Sequence, residues 1–211
     1  INFIGNRKIL IVGTKKFKNV SHKLIFDRIE LGTYLIAAAL AGKKVSFLKI
    51  KPKIIKTEIK LLKKMGVKMQ VEKNKITIFE SGKLKSVNIK TEPYPGFPTD
   101  LQAQVMVLML KASGTSKITE KIFENRFMHV PELRRMGAKI ITKKNVALVS
   151  GPTNLSGAEV MATDLRASVS LVLAALIAEN RTIINRIYHL DRGYENLEKK
   201  LKKCNVSISR L

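Results

Sequence analysis

At 211 residues and 45% hydrophobic content, the chain is long enough for one large or two small domains with a sizeable core. A formal net charge of +24 invites a nucleic-acid reading, but the lysines are scattered among Ile and Asn, Trp is absent and aromatics make up only 6%, so the excess reads as solvated surface whose field attracts a small anionic substrate. No run approaches the roughly 18 apolar residues of a membrane span, the opening seven residues carry no apolar signal core, and a lone Cys204 excludes an internal disulfide, so a soluble cytoplasmic protein is expected.

Three similar units follow one another along the chain. The first sets Asp27-Arg28-Ile29-Glu30 ahead of the apolar run Tyr34-Leu35-Ile36-Ala37-Ala38-Ala39-Leu40, which closes at Gly42. A strand pattern follows at 45–50, then a charged helix ending Leu61-Leu62-Lys63-Lys64-Met65-Gly66, then strands at 68–71 and 75–79. The second unit is approached through the rigid Tyr94-Pro95-Gly96-Phe97-Pro98 and sets Thr99-Asp100-Leu101 ahead of Val105-Met106-Val107-Leu108-Met109-Leu110, closing at Gly114. Its strand at 117–122 leads to Phe123-Glu124-Asn125-Arg126-Phe127-Met128-His129, a helix from near Pro131 to Leu133-Arg134-Arg135-Met136-Gly137, and strands at 139–142 and 146–150. The third sets Thr163-Asp164-Leu165 ahead of Leu171-Val172-Leu173-Ala174-Ala175-Leu176-Ile177, closing at Asn180. After a strand at 182–187 come Asn185-Arg186-Ile187-Tyr188-His189, the turn Asp191-Arg192-Gly193-Tyr194, a helix ending Leu201-Lys202-Lys203-Cys204-Asn205, and a strand at 206–209.

The spacing from each Asp to its closing Gly or Asn is nearly constant, which predicts three helices of equal length ended by αL caps. These helices are apolar on nearly every face and are expected to be buried. The second helices carry a basic pair in the last turn, where it complements the dipole. Buried helices inside and charged helices outside call for sheets wrapped around a helical core. Cys204 falls where the other units carry Met65 and Met136 and is expected to pack.

Asp27 with Glu30, and Thr99 with Gln102, fit capping boxes. With Thr99 filling the cap, Asp100 is left free beside a helix N-terminus and is the stronger candidate for catalysis or substrate binding. Glu124 and Arg126, close in one loop, fit a surface ion pair equally well. Against that, Arg126 and Arg186 recur in the same setting and Arg192 stands in a further loop, and guanidinium groups bind phosphate and carboxylate in bidentate fashion. His129 and His189 lack companions at ligand spacing and read as structural.

From about Asp27 to the C-terminus, the chain resembles the UDP-N-acetylglucosamine enolpyruvyl transferases. The likeness rests on Pro98-Thr99-Asp100, Phe123-Glu124-Asn125-Arg126-Phe127-Met128-His129, Met161-Ala162-Thr163-Asp164-Leu165-Arg166-Ala167-Ser168 and Asp191-Arg192-Gly193-Tyr194. The resemblance implies transfer of the enolpyruvyl group of phosphoenolpyruvate to the 3-hydroxyl of UDP-N-acetylglucosamine, in peptidoglycan synthesis, with no metal or organic cofactor. It also implies an α/β fold, an inside-out α/β barrel domain of three βαβαββ-type repeats at about 24–80, 97–150 and 161–211 within a single 1–211 domain. Asp100 would bind the sugar hydroxyl and act as its general base, and Ile122 would offer a backbone contact. Arg126 and Arg192 would hold phosphoenolpyruvate, Glu124 would orient Arg126, and Asp164 and Arg166 would support proton movement and charge balance. Members of that family are about twice as long, with a second domain supplying a mobile loop with a reactive cysteine, a phosphoenolpyruvate-binding lysine and most uridine contacts. The chain, beginning at Ile1, is therefore expected to be a fragment that folds but does not catalyse alone. The rival readings are the shikimate-pathway enolpyruvyl transferase and a basic, non-catalytic nucleic-acid-binding remnant.

Overall fold

The computed structural model describes residues 1–5 and 8–210; Asn6, Arg7 and Leu211 lie outside that description. Strands β1 (Asn2–Ile4) and β2 (Lys8–Leu10) pair antiparallel, with Phe3 opposite Ile9, and every residue in them is exposed. Ile11, Val12, Phe17, Val20 and Leu24 of the following arm are exposed as well. Apolar residues of this density normally mark a surface made to be covered.

Helix α1 (Arg28–Ala41) starts because the Asp27 carboxylate accepts from the N–H groups of Ile29 and Glu30 at 2.6 and 3.2 Å. Only half of the expected capping box forms, since Glu30 pairs with Lys200 instead of reaching back. Gly42 does not form an αL cap: its φ is −83°, its N–H donates to the Ala38 carbonyl, and a Cβ there would lie 2.8 Å from that oxygen. It is a glycine for close approach. Arg28 then ties the helix start outward, bonding Glu58 at 2.6 Å and the Gly96 carbonyl at 3.0 Å, which fixes the Pro-rich approach to Asp100.

Strand β3 (Lys44–Leu48), helix α2 (Lys56–Lys64), β4 (Met69–Glu72) and β5 (Lys75–Phe79) follow, the strands forming an antiparallel sheet in the order β3-β5-β4. Helix α2 buries Ile59, Leu61 and Leu62 and leaves Lys56, Lys60, Lys63 and Lys64 exposed, the amphipathic pattern of an outer helix. Short strands β6 (Leu84–Lys85) and β7 (Asn88–Lys90) run parallel to β8 (Ala112–Thr119). Between them, a single 3-10 turn, Thr99–Leu101, leads into α3 (Gln102–Met109), all eight of whose residues are buried. Helix α4 (Val130–Arg135), β9 (Lys139–Lys143) and β10 (Val146–Gly151) complete this unit, with β10 between β8 and β9. The last part holds β11 (Leu155–Ser156), β12 (Glu159–Met161), α5 (Leu165–Ala175), β13 (Ala178–Glu179), β14 (Ile183–Asn185), α6 (Tyr188–Asp191) and α7 (Leu197–Lys202). Strand β11 pairs with β13 and β12 with β14, both parallel.

Helices α1, α3 and α5 pack against one another in the centre, with sheets and charged helices outside them. Gly32 admits the Leu101 side chain onto α1, since a Cβ would overlap it. The three buried helices are unequal, at 14, 8 and 11 residues. Helix α3 ends where Leu110 and Lys111 switch to i−3 bonds and Ala112 joins Leu84, so Gly114 and Asn180 take their positive φ in and after strands. Residues 206–209 form no strand, and Cys204 is exposed while Met65 and Met136 are fully buried. No helix among the described residues is long and apolar enough to cross a membrane.

The end of α3 allows no side chain at Gly151, where a Cβ would lie 2.5, 2.7 and 2.8 Å from the carbonyl oxygens of Ala112, Leu110 and Met109. Gly151→Ala is expected to lower stability by about 2–3 kcal/mol in urea denaturation, against about 0.5 kcal/mol or less for Gly82→Ala, where nothing lies within 4 Å of the added carbon. Equal effects would refute this packing.

Candidate functional site

Asp100 sits in the 3-10 turn ahead of α3, and neither it nor Thr99 caps that helix. The Thr99 hydroxyl donates instead to Glu120 Oε2 at 2.9 Å, because the end of β8 brings a stronger, charged acceptor beside it. Asp100 is thus free of the cap for a reason other than the one its sequence suggests. Its Oδ1 accepts from Arg126 Nη2 at 2.8 Å and its Oδ2 from Arg166 Nη2 at 3.2 Å. The side chains are 38%, 25% and 18% exposed, respectively, so the carboxylate lies at a rim where a ligand can reach it. Ion pairs this exposed contribute at most about 1 kcal/mol each. The cluster is therefore a poor stabilising device and a good binding one.

Each arginine is held from behind. Arg126 follows Asn125, whose φ of 51° turns the chain, and its guanidinium lies 5.2 Å from the centre of the Phe123 ring. Arg166 lies in the first turn of α5, which Asp164 caps by accepting from the N–H groups of Arg166 and Ala167 at 2.8 and 2.9 Å. Arg166 Nη1 also approaches the Tyr194 hydroxyl at 3.4 Å. That hydroxyl lies 2.9 Å from Thr33 Oγ1 on α1 and accepts from Gln104 on α3 at 3.4 Å, so one buried polar knot joins all three central helices to Arg166.

The remaining expected site residues are distributed less tightly. Ile122 is 37% exposed, and its N–H donates to Glu120 Oε1 at 2.8 Å, leaving its carbonyl without a hydrogen bond among the described residues. Glu124 does not orient Arg126: it is exposed and makes no ion pair among the described residues, because Asp100 already takes that guanidinium. Arg192 is exposed at the end of α6 and likewise unpaired among the described residues, although Gly193 abuts Leu165 and Tyr194 is buried beside it. Arg186 is exposed and outside the Asp100 cluster. A hollow of about 580 Å³ lined by Asp191, Tyr194, Glu195, Glu198, Lys199 and Arg210 carries three acids against two bases, and its Arg210 is already committed to Asp191 and Glu198. No group of three His, Cys, Asp or Glu among the described residues is placed to hold a metal.

The residue that sequence reading missed is Glu120. It is 2% exposed, and its carboxylate accepts from Thr91 Oγ1, Thr99 Oγ1 and the N–H groups of Ile122 and Phe123. The signal was available, since period-two alternation puts Glu120 on the buried face with Ser116 and Ile118.

A protein family described as EPSP synthase (3-phosphoshikimate 1-carboxyvinyltransferase) matches residues 2–201. UDP-N-acetylglucosamine 1-carboxyvinyltransferase of Pelagibacter ubique is 57% identical over 211 residues, covering 100% of this chain and 51% of that protein. The protein of the same name from Glaesserella parasuis is 52% identical, with 98% and 49% covered. The chain thus spans about half the length of the curated relatives it matches. The solved structure of the enolpyruvyl transferase NikO from Streptomyces tendae superposes with a TM-score of 0.80 at 33% identity over 86% of this chain and 43% of that one, so the fold is shared.

His129 packs under this site, 2% exposed and with Nε2 unpartnered among the described residues. Burial pushes its pKa down to about 4, with the Asp164 carboxylate opposing and the Arg126 guanidinium adding to the effect. The folded value lies below the roughly 6.5 of an unfolded histidine, so the contribution is complete above pH 6.5 and is lost as pH falls toward 4, when the unfolded chain takes up the proton first. Between pH 7 and 4.5 the parent is expected to lose about 2–3 kcal/mol more stability than His129→Gln in urea titrations. Identical losses would mean that His129 is not held neutral.

Proposed function

The chain belongs to the EPSP synthase (3-phosphoshikimate 1-carboxyvinyltransferase) family, and on that footing we propose that it supplies one half of an interdomain site that transfers the enolpyruvyl group of phosphoenolpyruvate to the 3-hydroxyl of UDP-N-acetylglucosamine. The observation that carries this reading is the Asp100 carboxylate between Arg126 and Arg166 at an open rim. Asp100 takes the proton of the sugar hydroxyl as its oxygen bonds to C2 of phosphoenolpyruvate and C3 gains a proton from an acid of the other domain, whose conjugate base takes one back in the next step. Loss of a proton from C3 and cleavage of the C2–O bond to phosphate then complete the transfer. Arg126 and Arg192 hold the phosphate and carboxylate through this tetrahedral stage, while Arg166 balances charge. Asp164 keeps one oxygen outside its capping role for proton handling, and the Ile122 carbonyl contacts the acceptor.

In this proposal the chain is one domain of three repeats, about 24–80, 97–150 and 161–211, wound into an inside-out barrel, the third repeat lacking closing strands among the described residues. The other domain supplies the remaining phosphoenolpyruvate and uridine contacts and covers the apolar arm before Asp27. Both substrates are cytoplasmic metabolites, which makes the cytoplasm the working compartment. The family's description favours a second acceptor, 3-phosphoshikimate; the identities of 51–57% to proteins named for the UDP-sugar support the first.

The test joins this chain to the unmatched half of the Pelagibacter ubique relative and assays both acceptors, with the isolated chain beside it. The chimera should release phosphate with UDP-N-acetylglucosamine, and neither 3-phosphoshikimate nor the isolated chain should give turnover. Asp100→Asn in the chimera should cost about 10² or more in kcat. Arg126→Lys and Arg192→Lys should weaken phosphoenolpyruvate use while sparing the UDP-sugar, since Lys keeps the charge and loses the fork. Turnover with 3-phosphoshikimate alone would reassign the acceptor.

A further inference from the structure

Glu120 accepts four hydrogen bonds near the site and, among the described residues, pairs with no cation. Thr91 Oγ1 donates at 2.6 Å, Ile122 N at 2.8 Å, Thr99 Oγ1 at 2.9 Å and Phe123 N at 3.2 Å. Its own backbone is clamped too, with its N–H on the Asn145 carbonyl at 2.8 Å and its carbonyl accepting from Asn145 Nδ2 at 2.9 Å. Thr91 is fully buried and its hydroxyl also accepts from the N–H of Lys121, so the anchor extends into β8's neighbour.

From this geometry we infer that Glu120 is a positioning residue for the acceptor substrate, a role that rests on the proposed enolpyruvyl transfer. One carboxylate oxygen grips the residue before Asp100 and the other grips the backbone of Ile122 and Phe123. The base and the loop that flanks it are thereby set at one mutual distance before any ligand arrives. Because Glu120 consumes the Ile122 N–H, Ile122 presents only its carbonyl, which selects a ligand group that donates, a hydroxyl or an amide. A carboxylate suits this task better than an amide would. The N–H groups of Ile122 and Phe123 can only donate, so a Gln keeps them only with its N–H₂ facing Thr99, whose hydroxyl must then turn from donor to acceptor and loses its bond to a charge.

A carboxylate has no donor to offer an anion, so Glu120 makes no direct contact in anion binding. The phosphoenolpyruvate end of the site is built from Arg126 and Arg192, neither of which bonds Glu120. The role therefore has a signature that a general packing role lacks, namely an effect on one substrate and not the other.

The test uses the chimera with Glu120→Gln, Thr99→Val and Thr99→Ser, reading kcat, KM for each substrate and the thermal midpoint. Glu120→Gln and Thr99→Val should each raise KM for the UDP-sugar roughly tenfold or more, as expected for a lost hydrogen bond to a charged group. KM for phosphoenolpyruvate should stay within about twofold, and Thr99→Ser, which keeps the hydroxyl, should restore the parent value. If Glu120→Gln fails to fold, Thr99→Val alone carries the test. Unmoved UDP-sugar KM in an active chimera, or equal changes in both KM values, would overturn the role and leave the proposed reaction standing. An inactive parent chimera would remove the reaction and this role together.

Discussion

The Asp100 carboxylate accepts two guanidinium groups that reach it from opposite parts of the chain, Arg126 in the loop after β8 and Arg166 in the first turn of α5. Everything else about the candidate site follows from how those three groups are brought together. The pairs are partly exposed and weak, so they cannot assemble the site by themselves. The force comes from behind them, where fully buried layers leave the backbone segments no other arrangement.

Two of those layers are polar. The Glu120 carboxylate binds the chain just before Asp100 to the loop that carries Ile122 and Phe123. The Tyr194 hydroxyl, with Thr33 and Gln104, ties Arg166 to the packed faces of α1 and α3. Buried polar groups of this kind cost free energy when left unpaired, so they select one packing of the helices over its alternatives. Gln104 completes the link, since its side-chain N–H₂ also donates to the Asp100 carbonyl at 2.8 Å. The helical core and the rim of the site are thus joined through single residues.

Much of this was legible from sequence where a local rule and the tertiary structure agree. The apolar runs after Asp27, Asp100 and Asp164 are the buried parts of α1, α3 and α5, and Asp27 does cap its helix. Asp100 stood out because Thr99 beside it suits the cap, and Arg126 because Arg186 recurs in the same setting. Where sequence and structure differ, a partner from elsewhere in the chain or the end of an element overrides the local rule. Glu124 is two residues from Arg126, but Asp100 holds the guanidinium. Thr99 suits a cap, but Glu120 offers a charged acceptor from another strand. Gly114 and Asn180 looked like helix terminators, yet the chain enters a strand before reaching either. Cys204 was placed by analogy with two buried methionines, but it lies exposed past the end of α7.

The central claim, that the buried layers hold Arg126 and Arg166 on the Asp100 carboxylate before any ligand binds, is tested most directly by nitrogen NMR of the arginine side chains in this chain, with Arg192 as an internal reference. Bonded guanidinium groups should show separate, slowly exchanging Nη signals at Arg126 and Arg166, averaged signals at Arg192, and averaging at all three in Asp100→Asn. Averaged signals at Arg126 and Arg166 in the parent protein would contradict the account.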